Sequence, residues 1–569
     1  MFGHYEKHRA TVALLGLLLV ASISAAQSST TADPSDEVAP STFFEALDVH
    51  VVNVDVFVTD KKGVPVTDLT ADDFEVLEEG RPVVVTNFFH AKGGGSAAPT
   101  RPPARVEENV SSPATAAADG ASSDQGLNLV VYFDNLFLRP FNRNRVIDHV
   151  RRFVATRLGP EDRAMVVTAE RGVHVRQALT HDRKAIYEAL DGLSKLTGYA
   201  VQSDTERRDA LRRIRGSRTV TEAEGHADFY AKSVYQDVEV SLRGLNELVA
   251  SLGGLPGRKA ILHVTDGMPM VAGGDLFYFV DQKFTDRTTA QMSANRYKAT
   301  RLFRELIAQA NANRVTFYTL EAAGLQPASS LSAEHTSDSA TFEIDTFHRS
   351  NLQEPLEMMA LDTGGLSLVG TSNFDDGLDR IADDFDSYYS LGYTPSRVAE
   401  GRYHSIEVRV RRRGVKVRHR TGYRDKTPGA LLGEGMQAAL LYGAERNPLR
   451  IELELAPAGL EDGRYLVPLT VRIPLANLAL IPQDGFRLGR LRVASAAIDE
   501  DGQTSTPIQN EVPIQIPEAD LPQALSQHFV YEVSLQMRSG SQRIVVGVRD
   551  ELAGETSFVG RTAVIGGHG

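Results

Sequence analysis

The amino-acid sequence predicts an α/β protein, a mostly parallel sheet with helices on both faces, flanked by a small all-β module before it and a β-sandwich after it. Three observations lead there. Between residues 126 and 395, short apolar runs alternate with helical patterns, as in strands joined by crossover helices. On either side of that block, apolar and polar residues alternate with a period of two. The chain has 569 residues, so roughly three to five domains are expected.

Composition narrows the chemistry. Apolar residues make up 42%, aromatic residues 7% and charged residues 24%, so the chain can bury cores and is neither wholly disordered nor fibrous. With no cysteine and no tryptophan, it has no disulfides, no thiolate metal ligands and no cysteine nucleophile, which leaves oxygen and imidazole as the reactive groups. A formal net charge of -13 argues against a nucleic-acid partner held through phosphates.

The elements follow in order. His4, Lys7, His8 and Arg9 precede the apolar run Ala10 to Ala26, which ends in small residues before a polar stretch, the layout of a secretory signal peptide over 1–26. The run is short for a spanning helix, which needs about 20 residues. Cleavage near Ala26 is expected over an uncleaved anchor, leaving no membrane span in the mature chain and a secreted, periplasmic or cell-envelope location. Residues 27–42 are polar and rich in Pro, Ser and Thr, and read as a mobile leader. In 43–90, Val52, Val54, Val56 and Val58 alternate with Asn53, Asp55 and Phe57, then Asp60 to Gly63 turn the chain and short strands continue to Phe89, which predicts the all-β module. Residues 91–125 are Ala, Pro, Gly and Ser-rich, the composition of a disordered linker.

The α/β block spans 126–395. Leu127 to Phe133 is a near-continuous apolar run, as in a strand covered on both faces. Val146, Ile147, Val150, Phe153 and Val154 fall on one helical face before Gly159-Pro160 stops the helix. Ala164 to Thr168 and Val173 to Gln177 form an antiparallel hairpin, and Asp182 opens the next helix. Further on come a helix at Val238 to Leu252, a strand at Lys259 to Thr265, a helix at Tyr297 to Ala312 and a strand at Val315 to Leu320. A short helix at Leu356 to Leu361, a strand at Gly364 to Val369 and a helix at Leu378 to Phe385 complete the block. Two stretches break the alternation: Thr197 to Asp228, rich in arginine, and Pro269 to Thr289 with Gln326 to Ser350. The first reads as a solvated helix or loop, or as a partner-binding insertion.

From Tyr388 the period returns to two. Ile406, Val408 and Val410 pair with Val415 and Val417 across the Arg413-Gly414 turn, a hairpin extension over 396–425 whose basic outer face is a solvated surface or a contact for an acidic partner. A connector covers 426–448. Residues 449–565 read as about seven short strands, the pattern of an immunoglobulin-like sandwich.

In an open α/β sheet, ligands bind outside the carboxyl ends of the strands. Two apolar strands here end in aspartate, at Asp134 and Asp266, and Thr180 follows the hairpin, which places two carboxylates and a hydroxyl on that rim. These are hard oxygen ligands suited to Mg2+, Mn2+ or Ca2+.

The strand ending in Asp134, the helix, the hairpin with Leu179-Thr180 and the strand ending Thr265-Asp266-Gly267 together resemble the von Willebrand factor type A domain. The flanking segments VDVFVTDKKGVPVTDLTADDFEVLEEG and YYSLGYTPS, with RTGYRD closing the following strand pair, are similar to the VWFA-related proteins of Acidobacteria-type bacteria. The resemblance covers residues 48–425 and implies a metal-ion-dependent adhesion site built from Asp-x-Ser-x-Ser, a threonine and an aspartate, whose metal takes a partner's carboxylate. Asp134, Thr180 and Asp266 match that pattern. Leu136 and Leu138 stand where the serines belong, and a leucine has no lone pair to offer. The implied site is therefore degenerate: either waters complete the shell of Mg2+ or another divalent cation, or the aspartates serve as hydrogen-bond acceptors for loop backbone.

Enzyme motifs are absent: there is no HExxH, GxSxG, P-loop or GxGxxG after a strand. His263 reads as a core histidine, and the acidic run from Asp375 to Asp386 as a solvated helix face. The expected function is non-enzymatic, protein–protein interaction or adhesion by an exported protein with an unidentified protein partner. The alternatives are a metal-dependent hydrolase using Asp134 and Asp266, and a structural envelope scaffold acting through its β modules.

Overall fold

The computed structural model describes residues 51–92, 126–284, 290–325, 339–395, 401–461, 463–505 and 507–566. The expected signal peptide, the leader and nearly all of the linker lie outside the described residues.

At the centre is a six-stranded sheet in the order Ser367–Leu368, Val315–Glu321, Arg258–Thr265, Leu127–Asp134, Arg163–Ala169 and Val173–Thr180. Neighbours run parallel except for the last pair, which is antiparallel. Every residue of Leu127–Asp134 is buried, because the two faces of the strand meet different helices. Leu129, Val131 and Phe133 share a core with Val146, Val150 and Phe153 of helix Pro140–Arg157 and with Leu378 and Ile381 of helix Phe374–Asp386. Val130 and Tyr132 share another with Leu242 and Leu245 of helix Val220–Ser251 and with Phe303 and Leu306 of helix Thr300–Ala312. Burying each such side chain stabilises the fold by about 1.5–3 kcal/mol, which is why this strand carries no polar residue before Asp134 except Asn128.

The two stretches that interrupt the alternation come together as one helical layer. Helix Ala200–Gly216, the first half of Val220–Ser251, helix Gly274–Lys283 and helix Ser339–Asp362 share a core of Ile214, Ala227, Tyr230, Val234, Leu276, Phe277, Val280 and Ile344. The helix expected at Val238 to Leu252 thus begins 18 residues earlier, at Val220, where the Thr219 side chain caps it by accepting the Glu222 N–H.

The segment expected as a separate β module and the strands after residue 395 build one two-sheet unit, interrupted by the α/β block; the expected hairpin does not form, because Tyr403–Val410 pairs with Phe74–Glu78 and Gly422–Arg424 while Lys416–His419 pairs with Val52–Thr59 in the other sheet. One sheet runs Lys416–His419, Val52–Thr59, Ser387–Tyr393, Val85–Lys92, and the other Gly422–Arg424, Tyr403–Val410, Phe74–Glu78, Arg81–Val83. Val54, Val56, Phe74, Val76, Tyr389, Leu391, Ile406 and Val408 form the core between them. A few short strands from residues 52–92 could not bury this face unaided, so they take partners from beyond the α/β block. The expected boundary between 395 and 396 moves accordingly, since Ser387–Tyr393 pairs with Val52–Thr59.

Charge holds this unit against the α/β block. Arg418 reaches Asp384 with both terminal nitrogens, at 2.6 and 2.8 Å, and both side chains are largely buried. Arg258 lies 4.0 Å over the Tyr388 ring and donates to the carbonyls of Asp384 and Phe385. Two expectations change here. Asp384 leaves the solvated acidic face, and the basic segment turns Arg418 and Arg420 inward, Arg418 to pair with Asp384 and Arg420 to meet backbone carbonyls.

Helix Pro428–Tyr442 leads to the C-terminal region, where nine strands among the described residues form two antiparallel sheets around Leu453, Leu469, Val471, Leu491, Val493, Ile544 and Val546. Two of the nine, Gly459–Glu461 and Ile481–Gln483, are three-residue pieces beyond the seven expected.

Removing one member of a buried ion pair leaves the other charge without a partner, at a cost of about 3–5 kcal/mol. Arg418→Met should therefore lower stability in urea by about that amount, and adding Asp384→Leu should recover most of the loss. Equal stabilities for wild type and Arg418→Met would remove the pair from its fastening role.

Candidate functional site

Asp134 and Asp266 end neighbouring parallel strands, and Phe133 stands opposite Val264, so both carboxylates lie on the same rim. The strand hydrogen bonds that bury the apolar runs also carry these two residues to its edge. Both are enclosed: Asp134 is 0% exposed and Asp266 7%.

Each carboxylate is already in use. One oxygen of Asp134 accepts the Leu136 N–H at 3.2 Å and the other accepts the Ser241 hydroxyl at 2.8 Å from helix Val220–Ser251. His263 is also fully buried, with Nε2 3.7 Å from Asp134. Asp266 accepts the Arg139 N–H at 2.9 Å and the Asn142 amide at 2.9 and 3.0 Å, and the Arg139 guanidinium lies 3.4 Å away. Leu136 and Leu138 are buried, and Leu138 belongs to the core under helix Pro140–Arg157. The turn after Asp266 requires glycine: Gly267 has φ +119°, and a Cβ there would sit 2.7 Å from the Leu352 Cβ.

Thr180 is elsewhere. The hairpin strand runs back, so Val173 pairs with Ala169 near Asp134 while Thr180 pairs with Ala164 at the opposite edge. Ala164 stands beside Leu129, five residues before Asp134, which puts Thr180 roughly 16 Å from the rim. Its hydroxyl accepts the Asp182 N–H at 3.1 Å and helps start the next helix. The antiparallel reading of the hairpin already carried this consequence, because the second strand of a hairpin ends where the first began.

The helical layer covers the rim through charge. Arg139 makes a two-pronged contact to Asp204 of helix Ala200–Gly216, at 2.6 and 2.8 Å. Arg207 of the same helix donates to the buried Asp275 at 2.6 Å and to Asp345 at 3.3 Å, and His348 lies 3.5 Å from Asp275. Burial opposes the Asp275 charge, but Arg207 and His348 hold its carboxyl below the usual range. A cavity of about 60 Å3 remains between Asp266 and this layer, with Tyr230 in its wall. Ser241, Arg139, Asn142, Asp204, Arg207 and Asp275 were not singled out from sequence as site residues. Apolar residues at helical spacing from Ala223 through Ala227, Tyr230, Val234 and Val238 were the available signal for the long helix.

The donor set does not fit a divalent cation. The aspartates already accept N–H and O–H donors, a guanidinium sits beside one of them, the serine positions are apolar and the threonine is at the other edge. What the arrangement does is fasten the loop after Asp134, the turn after Asp266 and the covering helices to one another.

Burial pushes the Asp266 carboxyl up to about 6, against the lowering effect of the Arg139 and Asn142 donors. An acid with a raised folded pKa favours the fold while protonated, so its contribution is full below about pH 4 and is lost as pH rises through about 6. Wild type should thus lose about 2–3 kcal/mol of stability relative to Asp266→Asn between pH 4 and pH 7. Urea unfolding at both pH values measures this, and a pH-independent difference would contradict it.

No family model matches the chain, and no curated protein matches it. Among solved structures, the chain is similar to BatB from Bacteroides thetaiotaomicron at 12% identity and a TM-score of 0.23, over 46% of this chain and 97% of that one. An aerotolerance-related membrane protein from Bacteroides fragilis NCTC 9343 matches at 10% identity and a TM-score of 0.22, over 46% and 98% of the two chains. Proximal thread matrix protein 1 from the mussel byssus matches at 13% identity and a TM-score of 0.22, over 46% and 49%.

Proposed function

We propose that this is an exported, non-enzymatic protein whose von Willebrand A-like domain, followed by an immunoglobulin-like sandwich, binds a protein partner in the cell envelope without a metal bridge. One observation carries the reading: both rim carboxylates are consumed inside the protein, and the helical layer stands where a metal-bridged partner would approach. Contact then falls to the outer surface of that layer and the helix beside it. Phe229 is 83% exposed there and Phe141, next to Asn142, is 76% exposed, each a large apolar group left in water. The signal-peptide pattern supports export, and among the described residues no helix is long and apolar enough to cross a membrane. A hydrolase would need Asp134 to reach a substrate, and its carboxylate is enclosed on all sides.

Capture from an envelope fraction by the full chain tests this. The same protein should be retained with and without EDTA, and retention should drop at least about tenfold in a Phe141→Glu, Phe229→Glu variant, the loss of about 1.4 kcal/mol or more of contact. Titration with Mg2+ should give the same heats for wild type and Asp134→Ala. Retention that requires the metal, or heats abolished by Asp134→Ala, would restore the metal-dependent adhesion reading.

A further inference from the structure

The N-terminal ends of the central strands, opposite the Asp134 rim, face a crevice shared by the α/β block, the interrupted two-sheet unit and helix Pro428–Tyr442. It encloses about 330 Å3. Its walls carry five cationic side chains, Lys259, Arg314, Arg420, Arg424 and Lys426, and two acidic ones, Asp425 and Glu434.

The acidic groups do not balance the cations. Glu434 is taken by Lys426 at 2.7 Å. Asp425 is buried, accepting the Arg402 N–H with His404 nearby. Lys259, Arg314, Arg420 and Arg424 form no ion pair among the described residues. Two of these four are set deep. Lys259 is 6% exposed, and its ammonium rests on the Leu255 carbonyl at 2.8 Å and more loosely on Gly253 at 3.5 Å. Arg420 spans the carbonyls of Asn311 and Asn53, at 2.8 Å each, tying the α/β block to the first β-strand. Carbonyls supply hydrogen bonds but only partial charge, so desolvated cations gathered this way remain short of negative charge. Burial, with Arg314 and Lys426 close by, pulls the Lys259 ammonium down to about 7, which is the same deficit seen from one group.

The two exposed cations, Arg314 and Arg424, stand among the lining residues, and neither forms an ion pair among the described residues. Arg314 has φ +56°, a backbone region that glycine or asparagine occupies more easily. A second cavity of about 240 Å3 shares Asn53, Gly257 and Arg314 with the first and continues past Phe88, Phe89, Tyr388 and Asp55, whose carboxylate lies 3.8 Å from Arg258.

We infer that this crevice binds a small phosphate-class polyanion, held by Lys259 and Arg420 at the back and by Arg314 and Arg424 in front. Guanidinium groups match phosphate oxygens in pairs, and a crevice with low-dielectric walls concentrates the cationic field on its contents. Such a ligand would touch three parts of the fold at once and so brace them. This crevice lies at the other end of the sheet from the aspartate rim and does not depend on the function proposed for that rim.

Calorimetric titration of the full chain with sodium pyrophosphate, at matched ionic strength and neutral pH, tests the inference. Saturable binding is expected, weakened at least about tenfold in Arg314→Glu, Arg424→Glu and unchanged in Asp266→Asn. Arg314→Gln serves as the milder variant if the double charge reversal disturbs folding, with circular dichroism as the check. Absence of saturable binding at millimolar pyrophosphate, or equal affinity in wild type and a folded Arg314 variant, overturns the inference. Citrate binding as tightly as pyrophosphate overturns the assignment to phosphate.

Discussion

The structure depends on a strand that has no wet face. With Leu127–Asp134 wholly buried, alternate residues must meet helices on opposite sides, and the sheet acquires both helical layers from that requirement alone. The same enclosure acts on the carboxylate at the strand's end. Asp134 cannot be hydrated, so it takes the Leu136 N–H and the Ser241 hydroxyl, and these bonds fix the first loop against the longest helix.

Charge pairing across elements is the second organising force. Arg139 bridges Asp266 on the rim and Asp204 in the covering helix, Arg207 joins that helix to Asp275, and Arg418 joins the two-sheet unit to Asp384. In each case an arginine from one element finds a carboxylate on another, and the fork geometry sets orientation as well as distance. The crevice at the far end of the sheet departs from this pattern: Lys259 and Arg420 donate to carbonyls and have further cations close by, with no carboxylate in an ion pair with either among the described residues. That contrast between matched and unmatched buried charge is what separates a fastener from a ligand site.

At the rim, protein groups meet both carboxylates. Two aspartates end neighbouring strands, leucines fill the core beneath the loop, and protein donors reach both carboxylates. Arg139 places a guanidinium beside Asp266, and the helix that carries Asp204 closes over it.

Much of this was legible from residues alone. Apolar runs of strand length located the central strands, since a side chain's solubility is a local property, and the aspartates at their ends followed from the same runs. Leu136 and Leu138 stood out only through the family resemblance, which implies serines at those positions. What only the tertiary structure decided was which distant segments meet. Nothing local in residues 52–92 states that their partners are the strands of 387–424, and nothing in Thr197 to Asp228 states that it packs with 269–284 and 339–350 over the rim. Thr180 lay between the two cases: its strand was readable, but its place on the sheet depended on the direction of pairing. Burial preference is written residue by residue, whereas the pairing of strands and the matching of charges are properties of surfaces that exist only after the chain has folded.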